Sequence, residues 1–133
     1  WSPLAAGRLG GKYRRNQPIP AAGRVARGGS PIPEEATSYE RLYTIMDVLD
    51  VIAEETGKSV AQVSLNWLLQ RPTISSLVIG ASSEEQLKQN LGAVDWNLTP
   101  DQVKRLDDAS QQQSIYPYWH QAQFPELNSQ LSF

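Results

Sequence analysis

Two stretches of the sequence carry residue types whose spacing could do chemistry. The first is ISSLVIGASSEEQLKQN, residues 74–90. It runs a β-branched apolar segment into Gly80, Ala81 and Ser82 and straight on into a helix start. Free amides and the positive end of the helix dipole at such a junction favour a phosphate, and Gly80 lets a ligand approach the backbone. A plain strand-to-helix turn with Ser82 or Ser83 as N-cap has the same local pattern. The second stretch is WSPLAAGRLGGKY, residues 1–13. Trp1 offers an indole face on which a flat ring can stack, and Lys12 a cation for phosphate oxygens. A core tryptophan and a solvated lysine are the plainer alternatives.

Other candidates are weaker. Arg24 and Arg27 could pair with phosphates across a loop or simply keep it soluble. His120, beside Tyr116, Tyr118 and Trp119, could line a pocket or staple the C-terminal tail to the body. The acidic pairs Glu54/Glu55 and Asp107/Asp108 read as solvated carboxylates on helix surfaces, not as acid–base dyads.

Composition sets the outer limits. With 133 residues, 40% hydrophobic and 20% charged, the chain is the size of one modest domain with ordinary globular composition. It has no cysteine and a single histidine, which removes disulfides, thiolate chemistry and a multi-histidine metal site from this chain. No apolar run approaches the length of a membrane span and no signal peptide is evident, so a soluble, cytoplasmic protein without a membrane partner is expected. Charge is lopsided. Residues 1–33 hold Arg8, Lys12, Arg14, Arg15, Arg24 and Arg27 and no acid, while all 14 acidic residues lie beyond them. A basic, Gly- and Pro-rich stretch suits either a nucleic-acid arm or a loop folding over a phosphorylated ligand.

The elements that must position these residues follow from punctuation and period. Residues 1–4 suit the end of a buried strand. Residues 5–36 hold six glycines and four prolines with no sustained period, a loop long enough to be functional or disordered. Thr37 and Glu40 have capping-box spacing. After them Leu42, Ile45, Leu49, Ile52 and Ala53 recur at helical spacing up to Gly57. Ser59 and Gln62 form a second box, opening a helix through Val63, Trp67 and Leu68 that ends before Pro72. Residues 74–79 read as a buried strand. Ser83 and Gln86 open a helix with Leu87, Leu91 and Val94 on one face, and Thr99, Pro100 and Gln102 open another with Val103, Leu106 and Ala109 inside. Strands separated by helices imply an α/β fold with parallel pairing. Two strands cannot close a barrel, so the expectation is part of a larger domain.

Taken together, WSPLAAGRLGGKY, VIAEETGKSVAQVSLNWLLQRP and VIGASSEEQLKQNLGAVDWNLTPDQVKRLD resemble the C-terminal part of the aldo-keto reductases, in particular members of the potassium-channel β-subunit type and their bacterial relatives. The resemblance spans nearly the whole chain and weakens at residues 14–36 and after about residue 112. It implies the last two βα units, with extra helices, of a (β/α)8 TIM barrel that binds NADP(H) across its top. Residues 1–133 would be the C-terminal fragment of one barrel domain, with residues 5–36 as a cofactor-covering loop and 111–133 as a C-terminal tail. By the same resemblance Trp1 stacks on the nicotinamide, and Ser2, Pro3, Leu4 and Ala5 contact the pyrophosphate side. Lys12 and Arg24 belong to the covering loop. Gly80 and Ser82 hold the phosphate on the adenosine ribose, with Gln86, Gln89 and Asn90 near that phosphate and the adenine. Many relatives carry a basic residue where Ser83 or Gln86 stands; the neutral pair here leaves NAD(H) admissible beside NADP(H).

The family's catalytic Asp, Tyr, Lys and His come from segments upstream of one like WSPL, so no catalytic residue is assigned in this chain. The expected function is the cofactor-binding part of an NADP(H)-dependent reductase of aldehydes or ketones. Alone, it is expected to lack activity and to self-associate or be completed by the missing N-terminal part. A nucleotide-sensing, β-subunit-like binding protein is the alternative. A small helical module with a nucleic-acid arm ranks below both, because it leaves GASSEEQLKQN unexplained.

Overall fold

Hydroxyl caps and one left-handed glycine set the helix boundaries. The computed structural model describes residues 1–30 and 38–111. After a short 3-10 turn at Ala5–Gly7 come four helices: α1 Tyr39–Thr56, α2 Val60–Leu69, α3 Glu84–Leu91 and α4 Pro100–Ser110. Ser59 and Gln62 form the expected reciprocal capping box at α2, and Thr99 with Gln102 forms another at α4, where Pro100 takes the first helical position. The N-cap of α1 is Ser38, whose hydroxyl accepts from the Arg41 amide. Thr37 lies outside the described residues, and Glu40, expected to close a box there, reaches Arg15 instead. At the other end Gly57 adopts φ 65°, a conformation costly for any residue with a Cβ, and Lys58 N–H closes on the Ala53 carbonyl at 3.1 Å.

The helical period buries one stripe of each helix. Leu42, Met46, Leu49 and Ile52 of α1 meet Val60 and Val63 of α2, Leu106 of α4 and Leu98 of the α3–α4 connection, with Tyr13 of the N-terminal loop closing the cluster. Helix α1 packs on α2 and α4, and α2 packs on α3. The connection after α3 is held by one side chain. Asn66, 2% exposed, donates Nδ2 to the carbonyls of Ala93 and Trp96 at 2.9 and 2.8 Å. Its Oδ1 accepts from Leu98 N–H and from Gln70 Nε2. Both donors and both acceptor positions of this buried amide are thereby used.

The two expected strands do not form. Residues 1–4 turn into the 3-10 segment, and residues 74–79 contain a bend and irregular backbone. A strand exists only by its ladder, and the described residues offer these segments no partner. Nor is either segment buried as expected: Trp1 is 82% exposed and Val78 67%. The described part is therefore helical rather than α/β. Among the described residues, no helix is long and apolar enough to cross a membrane, and no three potential ligating side chains gather around a metal position. The aromatic cluster at residues 116–120 lies outside the described residues.

Candidate functional site

The loop that carries the N-terminal basic charge is fastened to α1 by part of that charge. Tyr13 is buried and stacks on Tyr39 with ring centroids 6.5 Å apart. Arg14 pairs with Asp50 at 2.6 Å, and Arg15 bridges Glu40 and Asp47 while lying over the Tyr43 ring. Arg8 is 3% exposed and ties the start of the loop to Ser30 Oγ at 2.9 Å. These three arginines hold the loop in place, a division of labour that the sequence-level reading of one uniformly basic stretch did not anticipate.

The remaining three cations face a cleft. It has a volume of about 870 Å³ and is walled on one side by the N-terminal loop and on the other by residues 78–90. Lys12, Arg24 and Arg27 line the first wall, and none makes an ion pair with a described residue. Elsewhere Arg14, Arg15, Arg71, Lys88, Lys104 and Arg105 all have carboxylate partners. Arg24 and Arg27 sit on a turn closed by its own backbone: Arg27 N–H to Gly23 O, Gly28 N–H to Val25 O and Gly29 N–H to Arg24 O. At Gly28 φ is 70°, the left-handed geometry that lets the turn reverse.

The opposite wall is a helix start. Ser83 caps α3 through its hydroxyl, accepting from Gln86 N–H at 3.2 Å. Gln86 does not complete a box with Ser83. Its Oε1 accepts from Ser82 N–H at 2.8 Å and from Ser82 Oγ at 2.9 Å, fixing the Gly80–Ala81–Ser82 turn against the first helical turn. An ideal Cβ on Gly80 would meet nothing within 4 Å, so the backbone there is open to a ligand. Asn90 is 4% exposed, lines the cleft, and its Nδ2 has no hydrogen-bond partner. A buried amide without a partner costs free energy unless a ligand or water completes it. Glu85 is the one carboxylate among the described lining residues.

Of the twelve residues singled out from the sequence, Trp1, Ser2, Pro3, Leu4, Lys12 and Arg24 line the first wall, and Gly80, Ser82, Gln86, Gln89 and Asn90 the second. Ala5 does not line it; Ala6 does. The segment containing them is strained: Ser2, Ala5 and Ala6 have φ of 50°, 49° and 59°, a region that residues with a Cβ avoid. Arg27, weighed in the sequence with Arg24 as a possible phosphate partner, also lines the cleft, as do Glu85 and Ala61 of α2, which nothing in the sequence pattern singled out. Chemically the cleft combines an exposed indole face, cations and a buried amide without partners among the described residues, and a helix N-terminus, a set suited to an extended anionic ligand bearing flat rings.

One member of each acidic pair, Glu55 and Asp107, joins neighbouring helices, and neither is among the described residues lining the cleft. Glu55 accepts from both terminal guanidinium nitrogens of Arg105, Nη1 and Nη2, and from Gln102; the Arg105 bonds above all hold its carboxyl below the ordinary range. Burial pushes the Asp107 carboxyl up, but hydrogen bonds from Arg71 and Trp67 Nε1 outweigh it and leave it lowered.

Comparison with known proteins bears on the same residues. Residues 1–111 match the profile of the Aldo/keto reductase family. Over 116 residues, 81% of this chain and 32% of the relative, the sequence is 35% identical to a putative voltage-gated potassium channel subunit beta of Schizosaccharomyces pombe. It is 35% identical over 109 residues (80% and 33%) to a probable voltage-gated potassium channel subunit beta of Oryza sativa subsp. japonica. It is 38% identical over 103 residues (74% and 28%) to the L-glyceraldehyde 3-phosphate reductase of Escherichia coli strain K12. The chain spans about a third of the length of these relatives.

Proposed function

This chain belongs to the aldo/keto reductase family, and from that membership we propose that its cleft is the nicotinamide-dinucleotide site of a reductase acting on aldehydes or ketones. The observation that carries the reading is convergence. Two segments far apart in sequence meet across one cleft, and the three cations on one wall have no carboxylate partner among the described residues. The donors suit the ligand: a diphosphate calls for cations, an adenine or a ribose hydroxyl for the Asn90 amide, and a nicotinamide ring for the exposed Trp1 face. The cleft admits both NADP(H) and NAD(H).

In this reading Trp1 orients the nicotinamide, and residues 2–5 follow the cofactor towards its diphosphate. Lys12 and Arg24 neutralise the diphosphate from the loop side. Gly80, Ser82, Gln86, Gln89 and Asn90 receive the adenosine end. The reduced cofactor, when bound, supplies the hydride. The protein's part at this cleft is to hold the ring in one orientation and keep water from it. No proton donor is assigned among the described residues. The apolar segments 1–4 and 74–79 are read as the last two strands of a (β/α)8 barrel, paired with strands contributed by further chain, and a cytoplasmic location belongs to the same proposal.

Calorimetric titration with NADPH and with NADH tests the reading. Saturable binding of at least one, weakened about tenfold or more by Lys12→Ala, is expected for loss of a charge-assisted contact to phosphate. Absence of binding by both would sink it. A second reading has its own support, because two of the relatives are named as channel β subunits. There the cleft senses the dinucleotide without rapid turnover. Oxidation of bound NADPH by a small aldehyde over seconds favours the reductase; a cofactor that stays reduced for many minutes favours the sensor.

A further inference from the structure

Helix α1 carries a second stripe beside its buried one. Glu40, Tyr43, Asp47 and Asp50 fall at i, i+3, i+7 and i+10, one face of the helix, and a polar face of this kind is ordinarily left to solvent. Here it receives residues 13–15 of the N-terminal loop. Arg14 Nη2 meets Asp50 at 2.6 Å, while Arg14 Nη1 donates to the Tyr13 carbonyl at 2.8 Å. Arg15 spans Glu40 at 2.5 Å and Asp47 at 3.4 Å, with its guanidinium 5.6 Å from the centre of the Tyr43 ring. Tyr13 is buried, stacks on Tyr39 of α1 and is itself among the residues lining the cleft. The place of this docked triplet in the chain matters. The loop wall lines the cleft in two runs, one ending at Lys12 and Tyr13 and the other starting at Pro20 and reaching Arg27, so the docked residues stand between the two. Both runs hang from one point of attachment on α1.

We propose that the acidic stripe of α1 is a positioning surface for the cleft: by holding Arg14 and Arg15 it sets where the loop wall stands, and so how long a ligand held between the walls stays bound. Glu40, Asp47 and Asp50 are not among the described lining residues. They act through the two arginines and are positioning residues, not binding ones. Each ion pair is partly exposed and worth at most about fivefold in an equilibrium constant, but a network of them with an aromatic stack, closing on one short segment, biases the loop towards its docked position without locking it there. The statement about ligand residence rests on the dinucleotide reading above; the docking of the loop does not.

The test compares the unsubstituted protein with a Glu40→Gln, Asp47→Asn, Asp50→Asn triple variant, which removes the charges and keeps the side-chain shapes. Without ligand, hydrogen exchange should quicken about fivefold in residues 8–28 and less than about twofold in α2 and α4. Dissociation of NADPH, followed by stopped flow, should quicken by a similar factor. A charge swap supplies the control. Arg14→Asp alone should loosen the loop, and adding Asp50→Arg should restore it, a rescue that a general loss of stability would not show. Loop exchange left unchanged, exchange quickened equally in the loop and in α2 and α4, no rescue by the swap, or NADPH leaving a loosened loop at the parent's rate overturns the proposal. If the unsubstituted protein does not bind NADPH, the dinucleotide reading has failed, and the exchange and swap results by themselves uphold or overturn the positioning role.

Discussion

At the scale of single residues, the side chain with most at stake in the fold is Asn66. Truncating it to alanine orphans the Ala93 and Trp96 carbonyls and the Leu98 amide in a nearly dry environment. Asn66→Ala is expected to lower unfolding free energy by about 2–4 kcal/mol, read from urea denaturation midpoints. A loss below about 0.5 kcal/mol, the level of an ordinary surface substitution, would mean that the α3–α4 connection does not depend on it. Around the cleft the residue types were legible in advance and their partners were not. Lys12 and Arg15 look alike in sequence. Only the packing of Tyr13 against Tyr39 turns Arg15 towards α1 and leaves Lys12 facing the cleft.

At the scale of elements, legibility followed locality. Capping boxes and helical stripes depend on residues within one or two turns, and α2 and α4 begin where their hydroxyls and glutamines placed them. The strands expected at 1–4 and 74–79 depended on a pairing partner that local pattern cannot reveal, and no ladder forms among the described residues. The helices are joined by carboxylates whose pH response follows. Glu55 links α1 to α4, and Asp107 links α4 to α2. Both carboxyls are held below their ordinary values, so the unfolded chain takes up protons first as pH falls. Their contribution is present above the ordinary carboxylate range, about pH 4, and is lost as pH falls through the lowered folded values. Denaturant unfolding followed from pH 7 to pH 2.5 should therefore show an acid limb that flattens in the Glu55→Gln, Asp107→Asn double variant. An unchanged limb would assign acid sensitivity to other groups.

At the scale of the whole molecule, the described part has a helical core and several exposed apolar side chains. Trp1, Val78, Leu87, Leu91 and Val94 are large, apolar and exposed. We propose that part of this apolar surface is covered by association. Sedimentation velocity on the purified chain should show association that grows with concentration; a compact monomer throughout the micromolar range would contradict this. The proposed function requires the loop wall and the α3 wall to hold one dinucleotide between them. Hydrogen exchange with and without NADPH reads this directly. Simultaneous slowing in residues 1–13, 23–29 and 80–91 is expected; slowing on one wall alone, or on neither, would overturn the proposal.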